Sequence, residues 1–315
     1  MKIILTGGAG FIGSNVADRF IREGHEVAVI DNLSTGVESN VNRKARFLKV
    51  DIRSAVIDKI FERIKPDILC HHAAQIDVRK STDDPIFDAD VNILGSLNLL
   101  NACVKHKVKK VVFASTGGAI YGEQDYFPAD EKHPARPLSP YGVTKLTIEK
   151  YLHFYRETHG LEYISLRYAN VYGPRQNPFG EAGVVAIFAE RLLSGKRAVI
   201  HGDGKRTRDF VFVDDVVKAN LLALGYPKSD VFNIGTGIET DINSIFRMLK
   251  KATGSKQNEI HAPPKPGEQD RSVLDCARAE GFLKWKPKCK LSEGMARTVE
   301  FFQKTKRQVA TNAQV

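Results

Sequence analysis

Short apolar runs alternate with longer segments of helical periodicity through the first half of the chain. The apolar runs have the length and composition of strands, and they lie at residues 3–5, 26–30, 46–50, 67–71, 110–115 and 163–167. Between them, the pattern predicts helices at residues 54–64, 85–106 and 140–158. Strands regularly separated by helices predict an α/β fold with a doubly wound parallel sheet. Ligands of such sheets bind beyond the carboxyl ends of the strands, so the residues that follow each strand are the functional candidates.

The alternation ends near residue 170. Two segments rich in proline and glycine follow, at residues 172–180 and 263–267, and a late apolar run at 231–234 predicts a strand that rejoins the main sheet. We therefore predict a larger domain formed by residues 1–169 and about 210–240. A smaller, discontinuous domain would comprise about 170–209 and 241–307, with a substrate cleft between the two. The polar residues 308–315 are expected to form a disordered tail.

The first strand runs directly into three glycines, Gly7, Gly10 and Gly13. Side chains at these positions would keep the backbone from approaching a pyrophosphate, and the amides that open the following helix favour negative charge. An acidic residue, Asp31, ends the second strand about 20 residues further on, where it can accept hydrogen bonds from ribose hydroxyls. Because a carboxylate there would repel a 2′-phosphate, the sequence predicts that the larger domain binds NAD rather than NADP.

Composition and charge narrow the class of protein. Of the 315 residues, 42% are hydrophobic and 27% charged, and no apolar run is long enough to span a membrane. The four cysteines have no zinc-like spacing, and His71 and His72 have no accompanying carboxylates, so we expect a cytoplasmic protein without a metal site. The formal charge of +10 fits an anionic ligand. The basic runs contain no interleaved aromatic residues, so binding to nucleic acid is not expected.

A phenol and an ammonium lie four residues apart at Tyr141 and Lys145, and on a helix they would share one face. A free tyrosine titrates near pH ~10. Lys145, together with an oxidised nicotinamide ring, would favour the phenolate and bring the pKa of Tyr141 toward neutrality, where the phenolate can act as a base. Ser115 and Thr116 end the fifth strand, and Thr116 can donate a hydrogen bond to the oxygen whose proton Tyr141 removes.

The motifs resemble those of the extended short-chain dehydrogenases/reductases, and nearly the whole chain is most similar to their UDP-glucose (UDP-galactose) 4-epimerase family. The segments that carry the resemblance are residues 6–13, 31–33, 51–52, 73–74, Asn92, 115–116, 121–122, 139–142 with Lys145, 167–170 and 208–211. The resemblance implies that Tyr141 deprotonates the sugar 4-hydroxyl while hydride passes from C4 to NAD. Hydride would then return to the opposite face of a transient 4-keto sugar and invert C4.

The resemblance also implies the members of two binding sites. The residues implied to bind NAD are Gly7, Gly10, Phe11, Ile12, Gly13, Asp31, Asn32, Asp51, Ile52, Ala73, Ala74, Asn92, Tyr141, Lys145 and Tyr168. Those implied to bind the UDP-sugar are Ser115, Thr116, Asn170, Arg208, Arg271 and Ser272. Arginine forks among them suit the oxygens of a diphosphate. In this superfamily, helices equivalent to residues 85–106 and 140–158 pair across a two-fold axis, so a homodimer is expected.

The chain departs from the usual epimerase pattern in three places. Gly117 occupies the position that often holds the serine or threonine contacting the sugar, so Thr116 or Ser115 must serve instead. Residues 265–268 read Lys-Pro-Gly-Glu in place of a more common Arg-Pro-Gly-Asp. Ser272 stands where some members have a bulky aromatic residue, and a small side chain there would admit an N-acetyl group. We therefore expect UDP-N-acetylhexosamines to be accepted as well as UDP-hexoses.

Three other functions compete with epimerisation of a UDP-hexose. A nucleotide-sugar 4,6-dehydratase needs an acid and a base directly after the threonine, where this chain has Gly117 and Gly118. A UDP-uronate 4-epimerase or decarboxylase needs only one extra polar or basic side chain in its pocket, so that alternative stays open. A non-catalytic scaffold that binds NAD or RNA would be expected to lack Tyr141 or Lys145, and both are present.

Overall fold

The fold was analysed in a computed structural model that describes residues 1–179, 183–264 and 269–312. Its strands, numbered in chain order, are β1 Lys2–Thr6, β2 Glu26–Asp31, β3 Arg46–Lys49, β4 Ile68–His71, β5 Lys110–Thr116, β6 Glu162–Tyr168, β7 Asn170–Tyr172, β8 Val199–His201, β9 Thr207–Phe212, β10 Asp230–Ile234, β11 Glu239–Asp241, β12 Ile260–Ala262 and β13 Arg271–Ser272. The helices are α1 Phe11–Arg22, α2 Val56–Ile64, α3 Val78–Asp83, α4 Pro85–Ala89, α5 Gly95–Lys105, α6 Gly117–Ile120, α7 Pro140–His159, α8 Val184–Leu193, α9 Val213–Gly225, α10 Ile242–Thr253 and α11 Leu291–Asn312.

Seven strands form one parallel sheet in the order β10-β6-β5-β4-β1-β2-β3. The predicted doubly wound sheet is therefore confirmed, and the late apolar run forms β10, which pairs with β6. Strand order reverses direction at β1, because β2 lies on one side of it and β4 on the other. The carboxyl ends of β1 and β4 thus flank the crevice in which ligands of this architecture bind.

Helices cover both faces of the sheet. Successive residues of β1 face opposite sides: Ile3 and Leu5 belong to one apolar core, and Ile4 belongs to the other. The first core includes residues of α1, α8, α9 and α10, whereas the second includes residues of α2, α5 and α7. Because both faces are buried, the central strands are apolar throughout rather than alternating, which is why short apolar runs located them in the sequence.

Two predicted segments differ from the structure. The helix expected over residues 85–106 is divided into α4 and α5 by a π-helical turn, Asp90–Leu94. The last helix, α11, continues to Asn312, past residue 308, where the sequence suggested a disordered tail; residues 313–315 lie outside the described part. A second π-helical turn occurs at Ala279–Leu283, and a short 3-10 helix at Glu38–Asn40.

Smaller sheets lie in the second half of the chain. Strand β9 pairs with β11, β13 and β7, and β8 pairs with β12. These strands bring Arg208, Arg271 and Ser272 together, because Ser272 of β13 lies in register with Arg208 of β9. The limits of the two domains stay a prediction. Within the described residues, no helix combines the length and the apolar character needed to cross a membrane.

Candidate active site

The glycine turn brings three chain segments into close contact. A side chain on Gly7, which has a φ of 72°, would lie 2.6 Å from the backbone nitrogen of Ala73. A side chain on Gly13 would lie 2.2 Å from the carbonyl oxygen of Gly7. Gly10 then precedes α1, whose first turn has neither a capping side chain nor an acidic residue among the described residues. The backbone amides at this helix start, where Phe11 and Ile12 lie, can therefore face an anion.

Asp31 is fixed at the edge of this turn. One of its carboxylate oxygens accepts a hydrogen bond from the backbone nitrogen of Ala9 at 3.0 Å, and the other accepts one from Leu33 at 2.8 Å. The carboxylate thus has a set orientation at the carboxyl end of β2, beside the uncapped helix. A backbone cradle for a pyrophosphate next to an oriented acid for a ribose fits NAD, as the sequence predicts.

Asp51 forms an ion pair with a neighbouring arginine. Its two oxygens lie 2.9 and 2.8 Å from Nε and a terminal nitrogen of Arg53, and Asn32 donates a further hydrogen bond at 2.9 Å. These partners hold the pKa of the Asp51 carboxyl well below its usual range. Arg53 also donates a hydrogen bond to the Asp90 carboxylate at 2.6 Å, so this arginine links the segment after β3 to the π-helical turn. The side chain of Ile52 is buried in the core, which leaves its backbone as the part that could contact a cofactor.

Ala73 and Ala74 follow His72, the first residue after β4, and lie next to a chain of buried polar groups. The Ala73 nitrogen donates to the Thr6 hydroxyl at 3.2 Å, and that hydroxyl lies 2.7 Å from Nδ1 of His71. The other ring nitrogen of His71 lies 2.9 Å from the Ser96 hydroxyl. Burial keeps the pKa of His71 well below its usual value. Both nitrogens of this histidine therefore have structural partners.

Asn92 is held entirely by the protein around it. Its amide nitrogen donates to the Gln75 carbonyl and to the Asp88 carboxylate, both at 3.0 Å, and its amide oxygen accepts from the Gln75 nitrogen at 2.8 Å. A direct cofactor contact of this amide stays a prediction. Asp88 was not singled out in the sequence, although it precedes Asn92 by four residues, a spacing that places both side chains on one helix face.

Tyr141 and Lys145 lie on one face of α7, which begins where the sequence indicates. Ser139 caps this helix by accepting a hydrogen bond from the Gly142 nitrogen at 3.1 Å, and Pro140 occupies its first turn. The Lys145 ammonium lies 5.9 Å from the centroid of the Tyr141 ring. It donates a hydrogen bond to the Ala114 carbonyl at 2.9 Å, at the end of β5.

Burial shifts the pKa of both members of this pair. Burial lowers the pKa of Lys145 to about 8, although Asp88 and Glu149 act in the opposite direction. Burial also raises the pKa of the Tyr141 phenol, and Asp88 raises it further. Desolvation of the buried phenol is the main cause of this rise, and the Lys145 ammonium bonds to a backbone carbonyl rather than to the phenol. The shift of the Tyr141 pKa toward neutrality was expected from Lys145 together with an oxidised nicotinamide ring, and it stays a prediction.

Thr116 and Ser115 end β5 with different surroundings. Ser115 is only 3% exposed, and its hydroxyl donates to the Glu149 carboxylate at 2.6 Å. The Thr116 hydroxyl forms no hydrogen bond to any other residue that the structure describes. A methyl group placed on Gly118 would lie 3.9 Å from the Thr116 hydroxyl and 3.7 Å from the side-chain oxygen of Asn170, with no nearer neighbour. Thr116 and Asn170 thus both lie beside Gly118.

A buried ion pair lies next to Ser115, and the sequence analysis did not predict it. Glu149 and Arg167 meet at 2.6 Å with side chains only 5% and 9% exposed. Ser165 donates to the same carboxylate at 2.8 Å, and Arg167 reaches the Tyr121 hydroxyl at 2.9 Å. These bonds join α7 to β5 and β6. Glu149 follows Lys145 by one helical turn, which is the signal that could have identified it.

Tyr168 ends β6 in register with Thr116. Its hydroxyl accepts a hydrogen bond from the Asn220 amide at 2.8 Å and lies 3.4 Å from Nε2 of His72. The hydroxyl therefore bonds within the protein, so a cofactor would contact the ring or the backbone of Tyr168. Burial, together with the Lys145 charge, lowers the pKa of His72 to about 3, so this imidazole is neutral.

The predicted phosphate-binding arginines already have protein partners. Arg271 bonds to Glu239 at 2.6 Å and lies over the Phe127 ring at 3.8 Å. Arg208 donates to the carbonyl oxygens of Thr207 and Gln269 at 2.8 and 2.7 Å. Ser272, beside Arg271, is buried. The Lys-Pro-Gly-Glu segment at residues 265–268 lies outside the described residues.

Arg271 also lines a cavity of about 550 Å³. The cavity wall includes His201, Lys205 and Arg206, with Asp203 and Asp270 as its acidic members. Two arginines at one cavity suit an anionic ligand. The described residues contain no group of three or more histidine, cysteine, aspartate or glutamate side chains that could hold a metal ion.

Comparison with known proteins gives a consistent result. A family model described as "NAD dependent epimerase/dehydratase family" matches residues 3–235. The UDP-glucose 4-epimerase of Thermotoga maritima, crystallised with UDP-glucose, is 50% identical, superposes with a TM-score of 0.95 and matches over 97% of this chain and 99% of its own. The UDP-glucose 4-epimerase of Thermus thermophilus, in complex with NAD, is 44% identical with a TM-score of 0.92, over 96% and 99% of the two chains.

A third structure extends the range of sugars among the relatives. The UDP-N-acetylglucosamine 4-epimerase of Methanobrevibacter ruminantium M1, in complex with UDP-N-acetylmuramic acid, is 34% identical. It superposes with a TM-score of 0.92, covering 96% of this chain and 98% of its own. Proteins similar to this one over nearly their whole length therefore include enzymes named for different hexoses.

Proposed function

The chain belongs to the NAD dependent epimerase/dehydratase family, and from this premise we propose that it is a UDP-hexose 4-epimerase. It would interconvert UDP-glucose and UDP-galactose by inverting C4. The resemblance inferred from the sequence motifs is confirmed at the family level. The observation that carries the specific reaction lies at β5. The Lys145 ammonium, 5.9 Å from the Tyr141 ring, donates to the Ala114 carbonyl of this strand. The strand ends at Thr116, whose hydroxyl bonds to no other residue that the structure describes.

The same edge argues against dehydration. Expelling the sugar 6-hydroxyl requires a general acid and a base close to the threonine. Gly117 and Gly118 supply neither, and a side chain placed on Gly118 meets only Thr116 and Asn170. Inversion at C4 needs no such groups, because a single phenol can accept and return the hydroxyl proton. Epimerisation is therefore the reaction that these residues support best.

The protein's own groups handle the proton of the 4-hydroxyl. With the pKa of Lys145 lowered to about 8, its ammonium remains mainly protonated at neutral pH and supplies positive charge beside the Tyr141 ring. This charge favours the phenolate, which accepts the hydroxyl proton and later returns it. The Thr116 hydroxyl, which has no protein partner in the described chain, would hold the sugar oxygen in place.

The cofactor would lie along the switch point of the sheet. The turn at residues 7–13 would hold its pyrophosphate and Asp31 its adenosine ribose, with Asp51, Ala73 and Tyr168 nearby as the resemblance implies. When bound, NAD supplies the hydride acceptor and donor for C4. The UDP diphosphate would lie toward Arg208 and Arg271, beside the cavity that Arg271 lines. Asn170, which lies beside Gly118, would contact the same substrate.

A small side chain supports acceptance of N-acetylated sugars. Ser272 is buried on β13, next to Arg271 and in register with Arg208. A serine there takes up less volume than an aromatic residue would. The relative named for UDP-N-acetylglucosamine shows that members with this fold act on such sugars. We propose that UDP-N-acetylglucosamine is a second substrate.

We also propose a cytoplasmic homodimer. Four large apolar side chains are exposed on α4, the following π-helical turn and α7: Ile86 is 81% exposed, Leu94 57%, Phe154 50% and Val143 47%. A second copy could cover these side chains through the pairing of helices that the resemblance implies. The four cysteines are free thiols, as is typical of a reducing compartment.

Incubating the purified protein with NAD and a single UDP-sugar tests the proposed function. UDP-glucose, UDP-N-acetylglucosamine and UDP-glucuronate are supplied separately, and the sugar epimers are separated by chromatography. We expect UDP-galactose from the first and UDP-N-acetylgalactosamine from the second, with UDP-glucuronate unchanged. If all three remain unchanged while the protein holds NAD, the proposal is wrong. Conversion of UDP-glucuronate alone would assign the site to uronates.

Thr116 and Ser115 offer a matched pair of substitutions. Thr116→Ala should lower kcat about 100-fold, because it removes a hydrogen-bond donor from the reacting oxygen. Ser115→Ala should leave kcat within about threefold but lower the free energy of unfolding by about 1–3 kcal/mol, since the buried Glu149 carboxylate loses a donor. Initial rates and urea unfolding of both variants measure these effects. A larger loss of kcat in Ser115→Ala would reverse the assignment.

A further inference from the structure

Asp88 is a completely buried carboxylate beside the proposed active site. It lies on α4 with no exposed surface, and three side chains surround its oxygens. Gln75 and Asn92 donate amide hydrogen bonds to one oxygen at 2.9 and 3.0 Å, and the Thr144 hydroxyl lies 3.0 Å from the other. All three partners are neutral. Asp88 forms no salt bridge within the described residues, so its charge is not cancelled by a bonded cation.

The hydrogen bonds of Asp88 join three segments that meet at the active site. Thr144 belongs to α7 and lies between Tyr141 and Lys145 in sequence, and its hydroxyl is also 2.9 Å from the Tyr141 carbonyl oxygen. Gln75 follows β4 in the segment that approaches the glycine turn. Asp88 therefore connects the first turn of α7 with the cofactor edge of the sheet. A fully bonded buried network of this kind fixes one arrangement of its members.

We propose that Asp88 is a positioning residue, which fixes the helix carrying Tyr141 and Lys145 and provides a buried negative charge beside both groups while Tyr141 exchanges the proton of the sugar hydroxyl. The proposal rests on the proposed function, because it assigns Asp88 a part in the proton transfer of that reaction. Asp88 acts through Thr144 and through its charge, without touching the substrate.

The charged groups around Lys145 distinguish Asp88 from its neighbours. Glu149, one turn further along α7, is paired with Arg167 at 2.6 Å; it acts on the pKa of Lys145 but not on that of Tyr141. His71 and His72, on the β4 side, are neutral because burial and the Lys145 charge lower the pKa of each. Asp88, which has no bonded cation in the described chain, acts to raise the pKa of both Lys145 and Tyr141.

Charged groups on the other segments around α4 are engaged elsewhere. On α3, the Lys80 ammonium lies over the Phe87 ring at 4.3 Å. On the segment after β3, Arg53 bonds to Asp51 and Asp90. Neither cation is hydrogen-bonded to Asp88.

Asp88→Asn removes the charge and can keep the network. An asparagine oxygen can still accept from Gln75 and Asn92, and its amide nitrogen can donate to the Thr144 hydroxyl, which is also an acceptor. Because the negative charge acts to raise both pKa values, its loss should lower both. We expect the two limbs of the pH profile of kcat/KM to move to lower pH by about one unit. Asp215→Asn is the matched control, since Asp215 is buried on α9 and accepts backbone hydrogen bonds from Lys288 and Cys289.

A titration without turnover provides the second readout. The ultraviolet absorbance of the Tyr141 phenolate is obtained as the difference between titrations with and without Tyr141→Phe, in both the parent and Asp88→Asn proteins loaded with NAD. Asp88→Asn should lower this phenol pKa, and Asp215→Asn should leave it unchanged. An unshifted phenol titration in a folded Asp88→Asn variant would overturn the proposal. If the parent protein turns over no UDP-sugar yet the phenol titration shifts, the proposed function fails and the electrostatic effect of Asp88 stands.

Discussion

Tyr141→Phe is expected to lower kcat by about a thousandfold, whereas the affinities for NAD and UDP-glucose should change little. The substitution removes a single oxygen, the one that exchanges the proton of the sugar hydroxyl. The Tyr141 hydroxyl forms no hydrogen bond to another residue that the structure describes, so its loss should not disturb the fold. Steady-state rates with UDP-glucose give kcat, and calorimetric titration of the variant gives the two affinities.

A second tyrosine on the same helix provides the control. Tyr151 lies on α7 and is partly buried against the second core. Tyr151→Phe should leave kcat and KM unchanged, because this residue lies almost three turns from Tyr141, in the part of α7 away from the end of β5. If Tyr141→Phe retained kcat within tenfold of the parent protein, another group would have to act as the base.

Glu149→Gln is expected to lower the free energy of unfolding by about 3–5 kcal/mol. The substitution preserves size but leaves the Arg167 guanidinium, 9% exposed, without its counter-charge. A buried charge without a partner keeps its desolvation cost, whereas the attraction that offset it is lost. Urea unfolding followed by circular dichroism measures the change.

An exposed ion pair serves as the control for the effect of burial on the buried pair. Glu280 and Lys286 meet at 2.9 Å with side chains 59% and 69% exposed. Glu280→Gln should cost less than about 1 kcal/mol, because solvent already screens the pair. The double substitution Glu149→Leu with Arg167→Met should recover part of the lost stability, since no unpaired charge then remains. A change below about 1 kcal/mol in Glu149→Gln would contradict this account of the ion pair.

The local pattern of apolar residues was sufficient to predict the sheet and many of the candidate site residues at the carboxyl ends of its strands. All seven strands of the sheet were visible as short apolar runs, and the central strands are apolar throughout because the sheet is buried on both faces. Parallel strands place their carboxyl ends at one edge, and that rule alone brings Asp31, Thr116 and Tyr168 together. The four-residue spacing was also sufficient to predict that Tyr141 and Lys145 share one helix face, because α7 is regular through that segment.

Features that depend on distant partners could not be read from the sequence. Asp88 and Glu149 look like ordinary charged residues of surface helices, and their burial depends on Gln75, Thr144 and Arg167 in other segments. The π-helical turn at Asp90–Leu94 inserts one residue into an otherwise continuous helical period, which apolar spacing does not resolve.

The surroundings of individual polar groups also had to come from the structure. The sequence favoured Thr116 for the sugar contact and left Ser115 as the alternative. Neighbouring residues of a strand point to opposite faces, and in the structure Ser115 meets Glu149 whereas Thr116 lies beside Gly118. For Tyr141, the structure shows that desolvation of the buried phenol raises its pKa, whereas the shift toward neutrality that the sequence predicts with an oxidised nicotinamide ring stays a prediction.

The central claim is that C4 of a UDP-hexose is inverted while Tyr141 exchanges only the hydroxyl proton. UDP-galactose carrying deuterium at C4 is incubated with the NAD-loaded protein in ordinary water, and the product is examined by mass spectrometry and NMR. The account predicts UDP-glucose with deuterium retained at C4, because no residue removes that hydrogen to solvent. Product with ordinary hydrogen at C4, or no epimer from a protein that holds NAD, would contradict it.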